Sequence, residues 1–247
     1  MKKSIAKGVN ILGCLMMIFI TSQPCFATCI VIMKQSDGIF IGADSRRNIY
    51  DHQMKQSIVD DYCKIHYAGN IYIAVAGYSD EQMKNIALSA AQKSSSASEA
   101  LNKCKIAIEK KLSETTETYR IKNKKGFEQR FAQSLVGSVS FFSFINGKPE
   151  LLTIHFSLVS SKSNKCIVKG DIDYSPIVFL GVSDHILKVP EQNVAKFISD
   201  RDWPKMVKTL IELEAKEHPQ WVGGPIDMLQ LDAKGAHWVQ KKGNCQG

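Results

Sequence analysis

Two short apolar runs around a single turn signal constrain this chain most. They are Cys29-Ile30-Val31-Ile32-Met33 and Ile39-Phe40-Ile41-Gly42-Ala43-Asp44, separated by Gln35-Ser36-Asp37-Gly38. Runs this short, rich in β-branched residues and joined through Asp-Gly, read as a buried β-hairpin. Antiparallel pairing brings the chain back about as far as it went out, at roughly 3.3 Å per residue. Asp44 therefore returns to the level of Thr28, where the first strand begins.

What precedes Thr28 has a different character. Residues 1–27 open with Lys2, Lys3 and Lys7, run apolar over 9–20 with Asn10 and Gly13 as interruptions, and end in Ser22-Gln23-Pro24-Cys25-Phe26-Ala27. A basic start, an apolar middle and small residues at the end are the layout of a cleaved secretion signal. The apolar run is shorter than the roughly 18–20 residues a membrane span needs, which weighs against an uncleaved anchor. A lipoprotein cut before Cys14 would leave the apolar tail 15–20 on the mature chain, so the cut is expected after Ala27. That leaves one domain, 28–247, and makes Thr28 its first residue. Thr28 would then carry a hydroxyl and a free α-amine side by side, a nucleophile and a base.

Removing the leader takes three lysines and no acid, so the formal charge falls from +8 to +5. No basic run alternates with aromatics, and Lys122-Asn123-Lys124-Lys125 reads as a solvated loop, so no nucleic-acid partner is expected, nor a membrane one after cleavage. Seven cysteines become five: Cys29, Cys63, Cys104, Cys166 and Cys245. An oxidising compartment, periplasmic or extracellular, allows up to two disulfides among them, with pairing unreadable from sequence. No cysteine or histidine spacing suggests a metal, and no cofactor motif is present.

After the first hairpin comes a polar excursion, 45–61, without period. Cys63-Lys64-Ile65-His66-Tyr67 and Ile71-Tyr72-Ile73-Ala74-Val75-Ala76-Gly77 form a second hairpin. Residues 80–93 place Met83, Ile86, Ala87 and Ala90 on one helix face. Ser96-Ala97-Ser98-Glu99 is a capping box for a helix striped by Leu101, Cys104, Ile108 and Leu112. Residues 115–130 are polar and read as either partly helical or mobile. Strands resume over 135–145, 151–159, 165–169 and 177–181. A helical region with Val194, Ile198, Met206, Leu210 and Leu213 follows, Pro204 marking a helix start. A last hairpin spans 226–231 and 236–239. Two antiparallel sheets packed face to face, with helices on both outer sides, would satisfy every amphipathic face.

Thr28 before an apolar strand, Asp37-Gly38, Gly42-Ala43-Asp44-Ser45-Arg46, Lys64-Ile65 and Ile73-Ala74-Val75-Ala76-Gly77 resemble the N-terminal third of proteasome β subunits and their bacterial relatives. These are N-terminal-nucleophile hydrolases. The resemblance implies an α+β fold, a four-layer αββα sandwich of two antiparallel sheets between helix layers. It also implies peptide-bond hydrolysis by Thr28, a peptide or amide substrate, and either action alone or a homo-oligomer. It assigns Arg46 to ordering the same network and Val75 to the substrate pocket. The family's serine in a Gly-Ser-Gly segment falls on Leu180-Gly181-Val182-Ser183-Asp184, where Ser183 serves in a shifted register. Its Asp and Ser before a Gly-Gly pair have no counterpart in Pro219-Gln220-Trp221-Val222-Gly223-Gly224.

The chemistry of the residues agrees with that assignment. A free α-amine, with a pKa of about 7.7–8.0, is partly neutral at neutral pH and suits a threonine base. Lys64 would lower it further by like-charge repulsion, Asp44 would hold Lys64, and the Gly77 N–H would meet the developing oxyanion. Two other readings stand beside this one. The first is a non-catalytic scaffold of the same family. The second is an acylase using Cys29 after loss of one more residue, which would require a cut after Thr28.

Overall fold

The structure, a computed structural model, describes residues 28–50, 56–131, 134–159, 165–189, 202–243 and 245. The secretion signal expected over 1–27, and the helical positions Val194 and Ile198, lie outside the described residues. The first hairpin forms as its pattern predicts. Strand β1 (Cys29–Lys34) pairs with β2 (Gly38–Ala43), Ile30 opposite Ala43, and the turn closes with the Gln35 N–H donating to the Gly38 carbonyl. Next come β3 (Arg47–Tyr50), β4 (Gln56–Val59), β5 (Ile65–Ala68) and β6 (Ile71–Gly77). Three helices follow: α1 (Asp80–Ala91), α2 (Ala97–Lys122) and α3 (Lys124–Arg130). Strands β7 (Leu135–Ile145), β8 (Lys148–Val159), β9 (Ile167–Asp173) and β10 (Ile177–Gly181) lead to α4 (Trp203–Glu217). The described part closes with β11 (Asp227–Asp232) and β12 (Gly235–Gln240).

The two-sheet αββα sandwich expected from the sequence is corrected here: the described strands form three separate antiparallel sheets. Two have five strands, in the orders β10-β1-β2-β11-β12 and β5-β6-β7-β8-β9, and the third is the two-stranded ribbon β3-β4. The ribbon lies in the stretch read as a shapeless polar excursion. Its apolar side chains Ile49 and Ile58 are exposed, so it has no core face and therefore no apolar alternation to read.

Strand alternation sorts the side chains of β1 and β2 onto two faces. Ile30, Ile32, Ile39 and Ile41 join Ile65, Ala74, Ala76, Phe142 and Leu151 of the other large sheet in one buried cluster. Cys29, Val31, Met33 and Phe40 face the other way and pack on Met206, Val207, Leu210 and Ile211 of α4. Helices α1 and α2 bury Met83, Ala87, Leu101, Cys104, Ile108 and Leu112 against Ile73, Val139, Phe141, Ile154 and Phe156.

Local signals set the helix ends. Ser96 caps α2 by accepting from the Glu99 N–H, and Asp202 caps α4 from the Lys205 N–H, with Pro204 in its first turn. Helix α2 continues through the polar stretch read as partly helical because Thr116 still faces the core and Glu117 pairs with Arg120 one turn on.

Phe142 is fully buried between the two large sheets and stacks on Tyr72 at 5.6 Å. Phe142→Ala should therefore cost about 3–5 kcal/mol in urea denaturation. Ile106→Ala, on the exposed side of α2, should stay within about 0.5 kcal/mol of the parent.

Candidate active site

Asp44 follows the last residue of β2, and both of its carboxylate oxygens are fully engaged. Oδ1 accepts from the Cys29 backbone N–H at 2.7 Å and from the Lys64 ammonium. Oδ2 accepts from the backbone N–H groups of Arg46 at 3.1 Å and Gly223 at 3.0 Å. The Cys29 N–H belongs to the peptide bond that follows Thr28, so Asp44 grips the chain one bond from the expected nucleophile. Asp44 is 1% exposed and Lys64 2%, which makes this a buried ion pair. Desolvation pushes the Lys64 ammonium below the ordinary lysine range, Asp44 pulls it back up, and neighbouring Lys242 adds to the depression.

The strand after Thr28 is held from its other edge by β10. Cys29 lies opposite Gly181, and the Thr28 carbonyl accepts from the Val182 N–H at 2.7 Å. Gly181 has φ +83°, and a Cβ there would meet the Thr28 carbonyl oxygen, so only glycine lets β10 approach this closely. Ser183 follows directly, its carbonyl accepting from the Leu187 N–H in a turn. The Val182 backbone thus ties this segment to Thr28.

Arg46 braces the same corner. Its guanidinium forms a two-pronged pair with Asp60, at 2.6 Å for each bond, and also donates to the Pro219 carbonyl. That pair holds the Asp60 carboxyl below its usual range. Gly77 closes β6 at φ 130°, where a side chain would strike the backbone of Val136 and Gly137. Continuing the Ile65–Ala74 register by one step sets Lys64, the residue before β5, level with Val75 of β6, the strand that ends in Gly77. The structure thus joins Asp44, Lys64, Arg46 and the peptide after Thr28 by hydrogen bonds, and brings Gly77 in on the strand beside Lys64.

The cysteine at position 29 points elsewhere. Its thiol lies in the apolar cluster under α4, where burial, then the charges of Asp44 and Glu214, push its pKa well above that of a free thiol.

Several contributors escaped the sequence reading. The disulfide Cys63–Cys245 ties the C-terminal tail to the residue before Lys64. The same tail inserts Lys242, whose ammonium bonds Asp227 at 3.0 Å, the Tyr62 carbonyl at 2.8 Å and the Ser45 hydroxyl. A second buried lysine–aspartate pair thus stands beside Lys64 and Asp44. Five cysteines in a chain expected to reach an oxidising compartment allowed a disulfide; nothing in their spacing announced which pair. His185 and His218 match no ligand pattern in sequence, yet they meet Asp184 and Glu214 beyond the end of β10. A cleft of about 290 Å³ between α4 and the 223–226 loop touches Asp44, but its lining does not include Thr28, Lys64 or Gly77.

No family model matches the chain, and no curated protein matches it.

Removing one member of a buried ion pair strands the other. Lys64 without a counter-ion in Asp44→Asn should cost about 3–5 kcal/mol of stability in urea denaturation. Adding Lys64→Met to that background should recover most of the loss, since no buried charge is then left unpaired.

Proposed function

We propose that the chain is an exported N-terminal threonine hydrolase of peptide or other amide bonds, of the proteasome β-subunit-like type, with Thr28 freed by cleavage after Ala27. The observation that carries the reading is the Asp44 carboxylate, which binds at once the peptide N–H following Thr28 and the buried Lys64 ammonium. A buried ammonium held by a specific carboxylate marks a functional-site candidate, and Lys64 shares that carboxylate with the peptide N–H that follows Thr28.

In the proposed reaction the free α-amine of Thr28 takes the proton of its own hydroxyl as the oxygen attacks the substrate carbonyl carbon. The Lys64 charge lowers the pKa of that amine and stabilises the oxygen as it becomes nucleophilic. The oxyanion meets the Gly77 N–H, a contact of a kind whose removal costs about 2.7–4 kcal/mol. The amide C–N bond breaks as the proton passes to the leaving amine. Water, deprotonated by the same α-amine, then hydrolyses the ester on Thr28 and restores the enzyme. Asp44 takes no part in bond making; it positions Lys64 and the backbone. Val182 and Gly181 fix the Thr28 carbonyl from the other side.

The acylase alternative would need the Cys29 thiol at the site, and that thiol faces the α4 cluster with its pKa raised. One observation favours the scaffold alternative: the 219–224 loop offers Asp44 the Gly223 N–H and presents no second acid and serine to the threonine amine. No helix among the described residues is long and apolar enough to cross a membrane. Export to the periplasm or beyond belongs to the proposal.

The secreted protein should begin at Thr28 by N-terminal sequencing. Thr28→Ala should abolish turnover of amide substrates while leaving the melting temperature within a few degrees. With Thr28 in place, kcat/KM should rise with pH as the amine loses its proton, at a midpoint below the roughly 7.7–8.0 of an unperturbed α-amine. A mature start elsewhere, or turnover by the alanine variant, defeats the reading.

A further inference from the structure

Beyond the end of β10, Asp184 and His185 meet Glu214 and His218 from the C-terminal turn of α4. The i, i+4 spacing of Glu214 and His218 puts both on one side of the helix. Four potential ligand atoms converge. His218 Nε2 lies 2.9 Å from Asp184 Oδ1 and 3.9 Å from Glu214 Oε2. His185 Nδ1 lies 3.3 Å from Asp184 Oδ2 and 3.6 Å from Glu214 Oε2. All four groups offer an atom within 4.8 Å of every other.

Two features show that internal hydrogen bonding does not satisfy the cluster. Glu214 is 0% exposed, yet its Oε2 has no hydrogen-bond partner, and neither has the buried Nδ1 of His185. A fully buried carboxylate oxygen aimed at an imidazole nitrogen without a bond between them is costly unless something sits between the two. The other Glu214 oxygen is fixed: Oε1 accepts from the backbone N–H groups of His185 and Ile186, both at 2.7 Å. Those bonds turn Oε2 toward the two histidines, as outer partners orient a ligating carboxylate. The His218 ring is held by a stack on Trp221 at 5.4 Å.

We infer that Asp184, His185, Glu214 and His218 form a structural zinc site. Two imidazoles and two carboxylates are a borderline donor set that suits Zn²⁺, and the two carboxylates match its charge. Bonds of about 2.0–2.1 Å in a tetrahedron separate neighbouring ligand atoms by about 3.3 Å. The observed 2.9–3.9 Å separations bracket that value. With four protein ligands the site is closed, so it braces rather than catalyses. What it braces is the turn two residues after Val182, whose N–H holds the Thr28 carbonyl. Asp184, half exposed, is the side from which the ion enters. The site stands whether or not Thr28 is a nucleophile.

The test is metal analysis of the full secreted chain, purified without a histidine tag, dialysed against Zn²⁺ and then against metal-free buffer. One zinc per chain is expected, and Co²⁺ in its place should give the intense visible absorption of a tetrahedral site. Glu214→Gln keeps an oxygen for the His185 and Ile186 N–H groups but removes the ligand. It should weaken zinc binding by more than the roughly 10- to 100-fold that loss of an outer partner costs. His185→Gln, at a partly exposed position where misfolding is not expected, should do the same, and His237→Gln on the distant β12 should change nothing. No stoichiometric zinc on the parent chain, or zinc retained unchanged by Glu214→Gln and His185→Gln, overturns the assignment.

Discussion

The structure turns on one buried carboxylate. Asp44 is removed from water with a negative charge, a loss of hydration worth several kcal/mol that only full hydrogen bonding offsets. Its four donors come from four separate stretches of chain: Cys29 at the start of β1, Arg46 after β2, Lys64 before β5 and Gly223 after α4. Lys64 belongs to the connection into one large sheet, while Cys29 and Asp44 belong to the other. The ion pair therefore ties the two sheets together at one corner, and it does so beside Thr28.

The surroundings keep that corner in register. β10 closes against Thr28 because Gly181 has no side chain, and Val182 then takes the Thr28 carbonyl. Arg46 clamps the loop that carries Gly223 by bonding both Asp60 and Pro219. From the far side the tail arrives through Cys63–Cys245 and sets Lys242, paired with Asp227 of β11, against Ser45 and Tyr62. A second positive charge near Lys64 makes its ammonium harder to keep and strengthens its dependence on Asp44. Rigid backbone contacts, a glycine approach and a covalent clasp thus fix one side-chain pair, the kind of support a preorganised site needs.

Most strands of the two large sheets were legible because they have a core face that leaves an apolar signature; β9 was read at 165–169 rather than Ile167–Asp173 because Gly170, Asp171 and Asp173 break its apolar pattern, and the largely exposed β12 was placed by its turn. The return of Asp44 to the level of Thr28 followed from hairpin geometry alone, and the structure pairs Cys29 with Asp44 as that geometry requires. The β3-β4 ribbon was not legible, since Ile49 and Ile58 are solvated and no buried face gives it an alternating pattern; missing it is what made the two-sheet description wrong. The continuation of α2 past Thr115 was half legible: one buried threonine and an acid–base pair replace the apolar stripe. Lys242 and the zinc-type cluster were hidden for another reason. Their partners lie 15 to 197 residues apart, or on two turns of unlike sequence, and such meetings are decided by topology rather than by spacing.

The central claim is that Asp44 and Lys64 prepare Thr28, as the first residue of a mature chain, for attack on a carbonyl. It is tested most directly by treating the secreted protein with an electrophile directed at N-terminal threonine, such as a β-lactone, and locating the adduct by peptide mass mapping. The account predicts one adduct per chain, on the Thr28 hydroxyl, formed far more slowly when Lys64 is replaced by methionine. A mature protein that begins at Thr28, remains folded and takes no adduct there, or takes it on Cys29 instead, would contradict it.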